Sequence, residues 1–150
     1  MTYTDVTAII PARYASSRFP GKPLAKICGV PMILQVFKRV AAAIPESQIL
    51  IATDDPRIAE VCDAGGARTI MTPEECLTGT DRIWRAVEAG NINSPIIVNI
   101  QGDEPEVRES DLATLVRETQ IGEMATLAMP FQNPEDIDLP ERVKVVCDAE

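Results

Sequence analysis

Short apolar runs alternate along this chain with segments whose apolar residues recur every three to four positions. A short apolar run that ends in polar or turn-forming residues is typical of a buried strand, whereas spacing of three to four indicates a helix with one buried face. Strands are therefore predicted at Val6–Ile10, Ile49–Thr53, Arg68–Met71, Ile96–Ile100, Ala125–Met129 and Val143–Cys147.

Four helices are predicted between these strands. The first follows Pro31, the second runs from Pro56 to the Gly65-Gly66 pair, the third extends from the Thr78 region to about Gly90, and Ser110 is expected to cap the fourth. The residues expected to face the core include Ile33, Val36, Phe37, Val40, Ile58, Cys62, Ile83, Trp84, Val87, Leu112 and Val116.

Alternating strands and helices predict one α/β domain over residues 1–150, with a mainly parallel sheet covered by helices on both faces. The chain shows no internal repeat, low-complexity tract or linker. Ligands of such sheets bind at the carboxyl ends of the strands. Three polar segments are predicted there, at 11–23, 53–56 and 101–105.

The net charge of −9 is unevenly distributed. Residues 1–45 carry a net charge of +5, and residues 46–150 carry −14. A nucleic-acid-binding protein would present a broad basic face, so this local cluster favours a small anionic ligand instead. No apolar run is long enough to cross a bilayer. We therefore expect neither a nucleic-acid partner nor a membrane association.

The four cysteines contain no C-x-x-C spacing, and the chain has no histidine. A zinc site is therefore not expected. The cysteines are expected to be reduced thiols in a cytoplasmic protein. Cys62 and Cys147 have the setting of core residues, whereas Cys28 and Cys76 fall in predicted loops.

The segment at 11–23 is rich in groups that bind phosphate. Arg13, Ser17 and Lys22 lie in a loop stiffened by prolines, and its spacing matches neither G-x-G-x-x-G nor a P-loop. Arginine offers phosphate a planar fork of donors, and lysine offers a compact charge. A solvated turn would show the same charges, but a strand end in a parallel sheet favours a binding site.

The segment at 101–105 offers carboxylates at a second strand end. Mg²⁺ in phosphate chemistry is held by one or two carboxylates together with phosphate and water. Asp103 is the candidate ligand and Glu104 the alternative, and their spacing does not distinguish them. The alternative interpretation of the segment is an ordinary Gly-Asp turn.

The segment Thr78-Gly79-Thr80-Asp81-Arg82 is interpreted first as a capped helix start, in which Asp81 favours the helix dipole. Gly79 would also allow a flat ligand to approach the backbone. Arg82 could reach such a ligand.

Five motifs occur in the order seen in the 3-deoxy-manno-octulosonate (KDO) cytidylyltransferases, and the chain resembles that family from Val6 to Glu150. They are "IIPARYASSRFPGKPL", "ATDDPRI", "TGTDR", "VNIQGDEP" and a final "VKVV" followed by "DAE". The related acylneuraminate cytidylyltransferases share only the I-P-A-R start. The resemblance implies a three-layer Rossmann-like sandwich of the nucleotide-diphospho-sugar transferase type.

The resemblance also implies the reaction of CTP with KDO to give CMP-KDO and pyrophosphate, for lipopolysaccharide synthesis in the cytoplasm. Catalytic roles would fall to Arg13, Lys22 and Asp103, with Asp103 holding Mg²⁺. The nucleotide-binding set would be Ala12, Arg13, Ser17, Lys22, Gly79, Thr80, Arg82 and Gln101.

The chain departs from the family pattern in two respects. Cys76 and Thr78 stand where family members commonly have histidine and serine. Family chains also continue beyond the point that corresponds to Glu150, into a part that carries most of the sugar pocket, much of a homodimer interface and a second metal-binding aspartate. The expectation is therefore a nucleotide-binding portion that binds CTP weakly and does not turn over by itself.

Two alternatives remain at this point. One is the same chemistry on another acid sugar, either the 8-amino analogue of KDO or a sialic acid. The other is a non-catalytic nucleotide-binding relative.

Overall fold

The computed structural model describes residues 5–15, 19–119 and 122–146. Six strands are β1 (Val6–Ala12), β2 (Lys26–Ile27), β3 (Val30–Pro31), β4 (Ile49–Thr53), β5 (Arg68–Met71) and β6 (Ile96–Asn99). Four helices are α1 (Met32–Ala41), α2 (Pro56–Ala64), α3 (Gly79–Gly90) and α4 (Glu109–Glu118). Short 3-10 turns occupy Lys22–Leu24, Glu46–Gln48 and Pro134–Asp138.

The main sheet is parallel throughout, in the order β5-β4-β1-β6. In the register of β1, Ala8 pairs with Ile49 of β4 on one side and with Val98 of β6 on the other. The chain first builds the sheet outward from β1 to β5 and then returns to the opposite side of β1 with β6. This reversal creates a crevice at the carboxyl end of β1, where α/β sheets bind ligands.

Helices cover both faces of the sheet. Successive residues of β1 point to opposite sides, so they belong to two different cores. Ala8 and Ile10 belong to the larger core, which α1, α2 and α4 cover, whereas Ile9 packs with Ile83 and Ala86 of α3. The three layers are therefore α3, the sheet, and the group of α1, α2 and α4, as the alternation of elements predicts.

The two remaining strands form a small antiparallel hairpin ahead of α1. Its two-residue turn is Cys28-Gly29, with φ of 49° and 82°. Positive φ at both positions is the type I′ geometry that suits tight hairpins. The exposed Cys28 therefore lies in a loop, as expected.

Helix ends follow the local sequence in α2 and α3. Asp55 caps α2, Pro56 occupies its first position, and Gly65 follows its last residue. The prediction for α4 was wrong at its start, since the helix begins at Glu109 with Arg108 as the N-cap residue and not Ser110. Arg108 instead holds Asp111 of the first turn at 2.8 Å.

The prediction that Trp84 is buried was also wrong, because its side chain is 60% exposed. Ile83 and Ala86 carry the contact of α3 with the sheet, and Trp84 lies about 100° around the helix from Ile83. A single layer of sheet can bury only one stripe of a helix.

Two predicted strands are not formed in the described residues. Residues 125–129 and 143–146 make no ladder, and Val143 and Val146 are each 91% exposed. A strand needs a neighbouring strand for its backbone hydrogen bonds, whatever its propensity. Cys147, the predicted end of the second strand, lies outside the described residues. Across the three described ranges, no helix is long and apolar enough to span a bilayer.

Candidate active site

A cleft of about 530 Å³ lies at the carboxyl edge of the main sheet. Its walls are the loop after β1, the loop after β6, and the segment that leads into α3 together with the start of that helix. Its lining comprises Pro11, Ala12, Arg13, Phe19, Lys22, Pro23, Cys76, Leu77, Thr78, Gly79, Arg82, Gln101, Gly102 and Asp103. A volume of this order is usual for a small-molecule site.

The first wall brings the predicted basic residues together. Ala12 ends β1, Arg13 follows it directly, and Lys22 returns to the cleft in the 3-10 turn. The backbone amide of Gly21 donates to the carbonyl of Tyr14 at 2.9 Å, which draws the two ends of the loop together. Ser17 lies outside the described residues.

The opposite wall carries Gln101 and Asp103, both of which the sequence identified. Lys22 Nζ reaches Asp103 Oδ2 at 2.5 Å and thereby links the two walls. The two side chains are 38% and 50% exposed, so the pair contributes little to stability. Both charges therefore remain accessible to a ligand that enters the cleft.

Gly102 explains how the two walls come so close. A Cβ atom at this position would lie 2.8 Å from the backbone carbonyl oxygen of Pro11. Only glycine therefore lets the loop after β6 pack directly against the end of β1.

The third wall begins at the N-terminus of α3, where Thr78 and Asp81 form a capping box. Thr78 Oγ1 accepts from the Asp81 amide, and Asp81 Oδ2 accepts from the Thr78 amide, each at 3.0 Å. Gly79 lines the cleft, whereas Thr80, in the same turn, is exposed and is not part of the described lining.

Arg82 contributes to the lining but is only 3% exposed. Its guanidinium pairs with Asp54 Oδ2 at 2.6 Å and donates to Thr72 Oγ1 at 2.6 Å. Asp54 follows β4, in the polar segment at 53–56 that is predicted at a strand end. The ion pair therefore ties α3 to the carboxyl end of β4.

Asp55, the residue after Asp54, forms an ion pair with Arg57. The two guanidinium contacts are 2.9 and 2.6 Å, and these hydrogen bonds lower the pKa of the Asp55 carboxyl below its ordinary value. Arg57 also stacks on Tyr14, with its Cζ 3.4 Å from the ring centroid. Sequence reasoning missed this contact, since 43 positions separate the two residues.

Seven residues of the described lining were not among the predicted site residues, namely Pro11, Phe19, Pro23, Cys76, Leu77, Thr78 and Gly102. Cys76 precedes the capping box by two residues, and this proximity to a candidate segment was the available signal. In the part of the chain that the structure describes, no three Cys, Asp or Glu side chains converge on a metal position.

A parallel sheet with a switch-point cleft that pairs cationic loop residues with one carboxylate defines an α/β protein with a small-molecule cleft that suits an anionic ligand. Comparison with known sequences identifies the family of the chain. The chain belongs to the cytidylyltransferase family, whose profile matches residues 7–150.

Among its relatives, the 3-deoxy-manno-octulosonate cytidylyltransferase of Geobacter metallireducens is 47% identical over 149 residues, which cover 97% of this chain and 58% of the relative. The 8-amino-3,8-dideoxy-manno-octulosonate cytidylyltransferase of Shewanella sp. W3-18-1 is 43% identical over 149 residues, covering 96% of this chain and 61% of the relative. The chain thus spans about three fifths of the length of the curated relatives it matches.

A solved structure confirms the fold class. CMP:2-keto-3-deoxy-manno-octonic acid synthetase complexed with CTP superposes with a TM-score of 0.72 at 40% identity. The match covers 79% of this chain and 48% of that structure. The predicted resemblance to KDO cytidylyltransferases is confirmed by these relatives.

Proposed function

We propose that this chain is the nucleotide-binding part of a cytidylyltransferase that joins CTP and KDO to give CMP-KDO and pyrophosphate. The observation that carries the proposal is the cleft in which Arg13 and Lys22 face Asp103 across the switch point. The similarity to a synthetase solved with CTP supports the choice of nucleotide. Lipopolysaccharide synthesis is the proposed use of the product.

In this proposal the loop after β1 binds the triphosphate. Arg13 and Lys22 offset its charge and stabilise the departing pyrophosphate. Lys22 would exchange its carboxylate partner for phosphate oxygens. Ala12, the last residue of β1, and Ser17, which lies outside the described residues, are also proposed to contact the nucleotide. Gln101 is proposed to contact the sugar or the nucleotide from the opposite wall.

The start of α3 is proposed as the base side of the cleft. Gly79 and Thr80 are proposed to lie nearest to the cytosine. Of the two, Gly79, the first residue of the helix, belongs to the described lining of the cleft. Arg82 is proposed to order this side through its buried pair with Asp54. Cys76 occupies the position where family members commonly have histidine.

The residues present fit Mg²⁺ that arrives with the nucleotide. Asp103 offers a half-exposed carboxylate in the cleft, and Mg²⁺ typically combines one or two carboxylates with phosphate and water. When bound, the cation would neutralise phosphate charge. We propose Asp103 as its ligand in this chain, in preference to Glu104, because only Asp103 of the two is part of the described lining.

In the proposed reaction the protein contributes mainly by positioning the substrates and neutralising their charge. The anomeric hydroxyl of the sugar attacks the α-phosphorus of CTP in line. A new bond forms between that oxygen and phosphorus, the bond from the α-phosphorus to the bridging oxygen breaks, and pyrophosphate departs with the electron pair. The hydroxyl proton passes to solvent or to a phosphate oxygen, and no covalent enzyme intermediate is required.

The 8-amino analogue of KDO is a second candidate sugar, which the 43% identity to the Shewanella enzyme favours. We further propose a cytoplasmic homodimer for the full-length protein, with no nucleic-acid or membrane partner.

The test is pyrophosphate release by the full-length gene product with CTP, Mg²⁺ and, in separate reactions, KDO, its 8-amino analogue and N-acetylneuraminate. Release with KDO is expected, and Asp103→Asn should lower it by at least about 100-fold. Glu104→Gln is the matched control and should stay within a few fold of wild type. No release with any of the three sugars would refute the proposed function, and a greater loss in Glu104→Gln would reassign the metal ligand.

A further inference from the structure

We infer that Arg57 is a positioning residue for the phosphate-binding loop, because it holds Tyr14 and thereby fixes the loop that carries Arg13 and Lys22. This inference rests on the proposed function, since it concerns how the same cleft binds a nucleoside triphosphate. Arg57 is not part of the described lining of the cleft, so it acts through Tyr14 and not on the ligand.

The position of the Arg57 guanidinium is set by the first turn of α2. Asp55 caps the helix by accepting from the Arg57 amide at 2.9 Å, and the same carboxylate accepts two bonds from the guanidinium at 2.9 and 2.6 Å. A bidentate pair fixes the plane of the guanidinium as well as its position. Contacts within α2 and its cap therefore orient the Arg57 side chain independently of the loop.

The guanidinium lies over the face of Tyr14, with 3.4 Å between Cζ and the ring centroid. This is the stacked geometry in which a cation is attracted by the negative face of an aromatic ring. The contact joins α2, which follows β4, to the loop after β1.

Tyr14 in turn closes the loop onto Gly21. The Gly21 amide donates to the Tyr14 carbonyl, and a Cβ atom at position 21 would lie 3.1 Å from the Tyr14 ring. Gly21 also has φ of 72°, which glycine adopts without strain. Any other residue at position 21 would therefore be strained by its φ and would push the Tyr14 ring away by a few tenths of an ångström.

The two residues that this contact brings together lie between the two cations and are each adjacent to one of them. Arg13 comes immediately before Tyr14, Lys22 comes immediately after Gly21, and both line the cleft. A loop that is ordered in advance loses less conformational entropy when a ligand binds. Removing the Arg57 side chain should therefore weaken nucleotide binding more than it weakens the fold.

The experiment measures CTP affinity by calorimetry and the midpoint of urea unfolding, both on the full-length protein. Arg57→Ala is expected to bind CTP about 3- to 10-fold more weakly than wild type. Arg117→Ala is the matched control, because that side chain is 56% exposed against 57% for Arg57 and also pairs with a neighbouring carboxylate. Its CTP affinity should equal that of wild type, and the two variants should unfold at similar urea concentrations.

A second pair of variants tests the route through the ring. Tyr14→Leu should reproduce the loss in CTP affinity, and Tyr14→Phe, which keeps the aromatic face, should lose less. In Tyr14→Leu, adding Arg57→Ala should have almost no further effect, because the two residues act through one contact. This double-mutant comparison is unaffected by a general loss of stability, which would add to both backgrounds equally.

Unchanged CTP affinity in Arg57→Ala, or additive losses in the double variant, would overturn the inference while wild type still releases pyrophosphate. Failure of wild type to bind CTP or to release pyrophosphate would instead refute the proposed function. The two failures are thus distinguishable.

Discussion

Cys62 shows how a single buried side chain makes stability depend on pH. It is fully buried in the larger core, on the face of α2 that packs toward the sheet. Burial disfavours the thiolate and raises the pKa of the thiol to about 12, from 9.0 in an unperturbed cysteine. The folded protein therefore keeps a proton that the unfolded chain releases above pH 9.

The contribution of Cys62 to stability is thus complete below about pH 9 and is lost as the pH rises toward 12. The measurement is the free energy of unfolding in urea for wild type and Cys62→Ala at pH 8 and pH 10.5. Wild type should be more stable at pH 8, and its advantage should shrink at pH 10.5. An advantage that stays constant between the two pH values would contradict the burial argument.

At the scale of elements, the start of α3 joins helix stability to the cleft. The capping box of Thr78 and Asp81 satisfies backbone amides that have no partner within the helix. Thr78 also lines the cleft, so a loosened first turn would disturb the site.

Thr78→Ala should lower the free energy of unfolding by about 1 kcal/mol, because the Asp81 amide loses its acceptor. Thr78→Ser should retain most of the stability. Thr80→Ala is the matched control, since Thr80 is exposed within the same turn and its replacement removes no cap. Urea unfolding of the three variants decides the question, and equal losses in Thr78→Ala and Thr80→Ala would exclude a capping role.

At the scale of the whole molecule, the Arg82–Asp54 pair connects two layers. The side chains are 3% and 8% exposed, so each charge depends on the other for its compensation. Removing one partner from a buried pair leaves an uncompensated charge, whereas removing both can be much less costly.

Arg82→Met should therefore lower the free energy of unfolding by about 3–5 kcal/mol, and adding Asp54→Leu should restore part of it. Arg85→Met on the same helix is the control. Its pair with Glu88 is 57% and 47% exposed, and its loss should cost less than about 1 kcal/mol. The midpoint of thermal or urea unfolding measures the stability of all three variants. A small loss in Arg82→Met, similar to that in Arg85→Met, would show that water reaches the pair.

The sequence by itself determined the order of the four strands of the main sheet, the helices between them, and the segments that meet at the cleft. Periodicity is local, so β1, β4, β5, β6 and the helices between them could be predicted from runs of neighbouring residues. A parallel sheet places its carboxyl ends on one edge, and this was sufficient to group the loop that carries Arg13 and Lys22 with the one that carries Asp103.

Only the tertiary structure decided which surfaces and partners each residue meets. The predicted strands at 125–129 and 143–147 needed a neighbouring strand, and the burial of Trp84 depended on which stripe of α3 faces the sheet. The pairing of Arg82 with Asp54 and the stacking of Arg57 on Tyr14 join residues 28 and 43 positions apart. Such contacts leave no periodic signal in the sequence, because their geometry depends on how the layers pack.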